Sequence, residues 1–167
     1  PGRTVVVPGS TKTEIDEGDT VTLSGKFDDV GTKDTFEIVV DWGNGTKKTY
    51  DLLAIGSFAN GKGTFSIDYK MPDDDPATAT KFDTLKVYVK VRDDDTGIDE
   101  ETIDLKVNNV APTKVSATIT PEEVVEGDEV HLKIEFEDPT LKDTFKIEVD
   151  WGNGETKTYN LADVGSF

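Results

Sequence analysis

One hairpin sequence occurs twice in this chain, and that repetition constrains the fold more than any other feature. "DTFEIVVDWGNGTKKTY", Asp34–Tyr50, returns as "DTFKIEVDWGNGETKTY", Asp143–Tyr159, after a shift of 109 positions. Comparison of the copies sorts the side chains into two faces. Val21, Leu23 and Phe27 become Val130, Leu132 and Phe136. Phe36, Ile38, Val40 and Trp42 become Phe145, Ile147, Val149 and Trp151, so this face stays apolar throughout. The intervening positions drift: Thr22 becomes His131, Lys26 becomes Glu135, and Val39 becomes Glu148. A position that exchanges Val for Glu is expected to face water. His131, the only histidine, falls on that face and is read as a surface residue.

The same period-two alternation runs through Phe65–Tyr69, Leu85–Arg92 and Thr102–Val107, and no segment shows a helical period. Turn residues separate the runs at 28–34, 43–45, 60–63, 72–76 and 93–97. Short strands with this punctuation predict an all-β fold, an antiparallel β-sandwich. Within the hairpin, Asn44-Gly45 predicts a two-residue reversal into a strand over Thr46–Leu52. Trp42 then closes the core beside the turn. Asn44-Gly45-Thr46 also spells a glycosylation acceptor, but Asn153-Gly154-Glu155 does not, and the turn accounts for both copies.

Composition removes several classes of function. The formal net charge is −17, a field that repels phosphate backbones and anionic lipid and attracts cations. Nucleic acid and membrane insertion are therefore not expected. Lysines far outnumber the two arginines, Arg3 and Arg92, which argues against extreme salt adaptation. There is no cysteine, so neither a disulfide framework nor a thiolate metal site is available. No apolar run approaches a membrane span or a signal peptide. The opening "PGRTVV" reads as an internal or processed start, with any targeting signal outside it.

Five motifs then occur in order: "EGDTVTLSGKFDD" (17–29), "DWGNG" (41–45), "GTFSIDY" (63–69), "VKVRDDDTG" (89–97) and "VNNVAPT" (107–113). Together they resemble the PKD-like, immunoglobulin-fold repeats strung in tandem through large bacterial and archaeal surface proteins. The resemblance covers nearly the whole chain. Asn44 and Asn153 stand where that family usually carries aspartate, and 71–81 is longer and more acidic than its pattern. The resemblance implies an immunoglobulin-like sandwich of about seven strands per repeat. One complete repeat is expected over 1–109, and a linker with the first half of a second over 110–167. Pro112 stiffens the junction. An extracellular or cell-surface setting is implied, with the repeat as spacer, adhesive stalk or assembly unit beside neighbouring repeats of the same protein.

Catalysis finds little support. One histidine and no cysteine leave acyl transfer without a base and nucleophile pair. The carboxylates lie in turns and on outward faces rather than in an apolar pocket that would raise a pKa. The alternative function is an accessory polysaccharide-binding module of a secreted enzyme, which needs exposed aromatic platforms. Tyr88 is the best candidate, with Tyr50 beside it, and cell-surface glycan is the partner this implies. The sharper site is a calcium site. Asp28, Asp29 and Asp34 occupy one loop, and Asp93, Asp94 and Asp95 another. In an immunoglobulin-like sandwich these loops lie at the same end. Calcium takes six to eight oxygens in irregular geometry, which suits such loops. The second repeat keeps Glu137, Asp138 and Asp143 but lacks the second loop, so its site is expected to be incomplete, with Asn108 or Asn109 as added oxygen ligands. Residues 113–167 present inward faces without the strands that cover them in the first copy. Strand exchange or self-assembly through this half repeat is expected.

Overall fold

The computed structural model describes residues 14–72, 80–140 and 142–166. The acidic stretch 73–79 singled out in the sequence lies outside the described residues. The chain divides into two compact units, Pro1–Asn109 and Val110–Phe167.

The first unit is a β-sandwich. Its strands are β1 (Glu14–Asp16), β2 (Thr20–Asp28), β3 (Phe36–Asp41), β4 (Lys47–Asp51), β5 (Gly56–Ala59), β6 (Lys62–Lys70), β7 (Phe82–Asp93) and β8 (Ile98–Asn108). One sheet has the order β2-β6-β5 and the other β1-β8-β7-β3-β4. The described pairings of this unit are antiparallel except β1 with β8, where Glu14, Ile15 and Asp16 run parallel to Lys106, Val107 and Asn108. Alternation places Leu23, Phe27, Phe65 and Ile67 on the inner face of the first sheet. Ile38, Val40, Val87, Val89, Leu105 and Val107 occupy the inner face of the second, and all ten are buried. Trp42 is only 1% exposed and stacks on Tyr69 with ring centroids 4.3 Å apart, tying the two sheets together beside the turn.

Two glycines set the fit of β2 against β6. Gly25 lies opposite Phe65, and Phe27 opposite Gly63. Each phenyl ring lies over the glycine of the other strand. A Cβ on Gly25 would come within 2.2 Å of the Phe65 ring, and one on Gly63 within 2.2 Å of Phe27. Ring and missing side chain are complementary, so neither position has room for a larger residue.

Four details depart from the sequence-based expectations. The hairpin loop has three residues, not two: Trp42 N–H donates to Thr46 O at 2.9 Å, and Gly43 and Gly45 both have positive φ. Asn44, the middle residue, reaches across to Tyr69 Oη at 3.1 Å. Val39 is buried at 8% exposure, although it sits on the outer face. β3 is an internal strand, and the neighbours of Val39 are Lys90 and Thr49, whose side chains share that face and cover it. Tyr50 lies opposite Ile38 and packs against the core. It therefore points to the opposite face of the sheet from Tyr88, and the two do not form one platform. Finally, Leu52–Ile55 forms one helical turn, α1, started by Asp51, which accepts from Leu53 N–H at 2.8 Å. A single turn is too short to show a helical period.

The second unit holds two hairpins. β9 (Thr113–Thr120) pairs with β10 (His131–Glu137). β11 (Lys146–Asp150) pairs with β12 (Thr156–Asn160), and a helical turn α2 (Leu161–Val164) follows. β11–β12 has the register of β3–β4: Lys146 opposes Asn160 as Glu37 opposes Asp51. The Phe136 and Phe145 rings lie 4.9 Å apart, the separation of Phe27 and Phe36. Yet Leu132, Ile134, Ile147, Val149 and Trp151 are only half-buried. The copy of β1, residues 123–125, forms no strand. Val124 is 48% exposed where its counterpart Ile15 is 4% exposed. β1 forms by pairing with β8, and among the described residues no strand pairs with 123–125.

Candidate metal centre

β2 ends at Asp28, and the loop to β3 begins with Asp29. That residue is fixed from both sides. Its N–H donates to Gly61 O at 2.9 Å, and its Oδ1 accepts from Gly31 N–H at 2.7 Å. Gly61 belongs to the Asn60-Gly61 turn between β5 and β6, where both residues have positive φ. A Cβ on Gly61 would lie 2.7 Å from Asp29 O. The turn thus requires glycine both for its φ and for this close approach. Gly61→Ala is expected to destabilise the first unit by about 1–3 kcal/mol, read as a lowered denaturant midpoint at unchanged slope.

β7 brings in the second loop. Asp93 N–H donates to Gly97 O at 3.0 Å, and Asp93 Oδ1 in turn accepts from Gly97 N–H. Asp94 Oδ1 accepts from Thr35 N–H at 3.2 Å, which links the two loops. Carboxylate oxygens of Asp29, Asp34 and Asp93 converge within 4.8 Å of one another. Asp29 and Asp93 are buried, at 7% and 9% exposure, and Asp34 is half-buried. Loss of solvent, followed by the charges of Asp29, Asp94, Asp95 and Asp93, raises the Asp34 pKa above its ordinary value.

The structure sorts the six aspartates of the two loops. Asp29, Asp34 and Asp93 come together, with Asp94 at their edge. Asp28 turns to the Lys62 ammonium at 3.1 Å, and Asp95 is exposed. In the second unit Asp138 Oδ1 accepts from Thr140 N–H at 3.1 Å, and Asp143 is half-buried. The Asn108 amide donates to Glu14 Oε1 and Asp16 Oδ1, each at 3.1 Å, and Asn109 reaches Glu17 Oε1 at 3.5 Å. Those side chains hold β1 in place.

The donor set fits a hard cation. It is all oxygen, and two calcium–oxygen bonds of about 2.3–2.6 Å span roughly the observed separation. Sequence inspection found the carboxylates. It missed Gly61 and the Thr35 N–H, which position them, because both contacts join segments far apart in the chain. The dipeptide Asn60-Gly61 signals a turn but not what the turn touches.

No protein-family model matches the chain, and no curated protein matches it. Among the described residues no helix is long and apolar enough to cross a membrane.

Proposed function

We propose that the chain is a non-enzymatic, extracellular structural module, a PKD-like repeat that spaces and stiffens a cell-surface protein under tension. The parallel pairing of β1 with β8 carries this reading. β1 is the first described strand of the unit and β8 the last. Tension applied through the chain pulls β1 at its start and β8 at its end, in opposite directions along parallel strands. The pair is therefore loaded in shear, and its hydrogen bonds must fail together rather than one after another. Side chains reinforce it: Lys106 Nζ meets Glu14 Oε1 at 2.8 Å, and Ile15 is buried in the core.

Stretching single molecules tests this. The first unit should resist as one barrier and then release about 300 Å of chain between Glu14 and Asn108, at roughly 3.3–3.6 Å per residue. Ile15→Asp should lower the rupture force sharply. Gradual yielding without a force peak would overturn the reading. Acid should weaken the clamp as well. Hydrogen bonds from Lys106 and then Asn108 lower the Glu14 pKa. Its contribution is present above the unfolded-state pKa and is lost as pH falls through the lower folded-state value. Rupture force should therefore fall in that acidic range, and Glu14→Gln should remove this dependence.

The second part of the proposal is calcium at Asp29, Asp34 and Asp93. A cation there offsets the mutual repulsion of these carboxylates and joins the β2–β3 loop to the β7–β8 loop. Binding to the folded state alone stabilises it by about 2.7 kcal/mol at a hundredfold excess over the dissociation constant. The first unit should melt higher in calcium than in magnesium at matched ionic strength, because screening alone also stabilises so acidic a chain. Asp34→Asn should abolish the difference. Equal melting temperatures in the two ions would overturn the calcium site and leave the tension reading intact.

A further inference from the structure

β4 ends the larger sheet of the first unit, and among the described residues it pairs only with β3. The core behind it is covered: Tyr50 packs against the buried cluster, and Leu52 is 1% exposed. What β4 leaves open is therefore backbone rather than an apolar face. Trp42 N–H donates to Thr46 O at 2.9 Å, which turns that carbonyl toward β3. Antiparallel alternation then directs the bonding groups of Lys48 and Tyr50 to β3, and those of Lys47 and Thr49 outward.

Charge and sequence say what can meet this edge. The chain carries a net charge of −17, so two copies repel except where positive charge is not already neutralised. On the other strands of this sheet Lys86, Lys90, Arg92 and Lys106 each meet a carboxylate. Among the described residues Lys47 and Lys48 form no ion pair, and both are exposed. The strand reads Lys47-Lys48-Thr49-Tyr50-Asp51, basic at its start and acidic at its end, which is self-complementary when two copies run antiparallel.

We infer that a second copy of this chain occupies the edge, laying its own β4 antiparallel alongside about a two-fold axis at Thr49. Thr49 faces Thr49 of the second copy, and their outward N–H and C=O groups bond each other. Lys47 opposes Asp51 on the outer face of the sheet, and Lys48 opposes Tyr50 on the inner face, each twice by symmetry. Lys48 Nζ already lies over the Tyr50 ring of its own strand at 4.9 Å, and the second copy presents another ring to the same ammonium. Edge lysines ordinarily ward off pairing. In this register they meet a carboxylate and an aromatic ring rather than each other. The sheets of the two copies join into one, and the axis closes the contact at a dimer.

The second repeat lacks this complementarity. β12, the copy of β4, carries Thr156 and Asn160 where β4 has Lys47 and Asp51. Opposed charges on self-pairing therefore belong to the first unit.

This inference deepens the structural-module reading by naming a partner, and rests on that reading only for its use. Sedimentation of the full chain at rising concentration tests it. The unchanged chain should form a reversible dimer. Thr49→Pro removes an N–H that points away from β3, so the strand keeps its own bonds while the dimer loses those at its centre. Dimerisation should weaken about tenfold or more. Lys47→Glu and Asp51→Lys each oppose like charges twice and should also dimerise about tenfold more weakly. An equimolar mixture of these two variants restores opposite charges at both places and should recover the dimer as a heterodimer. Asp51→Lys also removes the cap of α1, and recovery in the mixture shows that the variant is folded. A chain that stays monomeric, a dimer indifferent to these changes, a mixture that fails to recover, or association that continues past the dimer would each overturn the inference. None of these outcomes bears on the force measurement or on calcium, so failure here is distinguishable from failure of the module reading.

Discussion

Trp42→Ala is expected to destabilise the first unit by about 3–5 kcal/mol. Domains of this kind are stable by about 5–15 kcal/mol in total, so much of the folded population is at stake. The magnitude follows from position. Trp42 is the last inward residue of its strand run and is only 1% exposed. It stacks on Tyr69 at 4.3 Å, and the adjacent loop is tied to Tyr69 by Asn44. Truncation therefore leaves a cavity and loosens the contact between the sheets at that end. Trp151→Ala should cost less than half as much, because Trp151 is only half-buried. The indole Nε1 of Trp42 is buried without a hydrogen-bond partner. Trp42→Phe removes that orphaned donor, a relief of about 1–3 kcal/mol against the smaller cavity it creates. It should consequently be far milder than Trp42→Ala. Equilibrium denaturation with tryptophan fluorescence and circular dichroism reads both comparisons. Equal losses from the two tryptophans would contradict the burial difference.

Gly25→Ile should be the other severe change, costing about 3 kcal/mol or more. It installs in the first unit the residue that the second repeat already carries at Ile134. The added Cβ falls 2.2 Å from the Phe65 ring. Phe65 is 3% exposed and cannot move aside without disturbing Phe27 or Ile67, its neighbours in the same core. Phe65→Ala should also be costly taken alone, through its cavity. The double variant should be more stable than the sum of the singles by about 1–3 kcal/mol, because each change makes room for the other. Additive losses would show that ring and glycine are not matched as the register of β2 and β6 indicates.

Much of the fold was legible in the chain. The copies diverge at outward positions such as Thr22, Lys26 and Val39 and repeat the same residue at Leu23, Phe27, Ile38 and Trp42, with Val149 matching Val40, so the repetition itself identified those five as core. Alternation and turn residues gave the β-sandwich, because side-chain period and strand geometry are local properties. Asp29, Asp34 and Asp93 were recognisable as candidates from their residue type and their place in two loops.

Tertiary structure decided the rest. Val39 is buried because β3 has a neighbour on both sides, whereas β11, which carries Glu148 at the same position, has one among the described residues. Burial of an outward residue depends on the number of flanking strands, which no local pattern records. Tyr50 and Tyr88 were expected together, and the pairing of β4 with β3 sends them to opposite faces. Gly25 gave no signal of its own until the register placed Phe65 above it. The sorting of six loop aspartates into three that converge, one at the edge, one paired with Lys62 and one exposed came from backbone contacts at Gly61, Gly97 and Thr35. Residue types and their periodicity are written along the chain. Which residues meet across strands far apart in the sequence is set only when the sheets assemble.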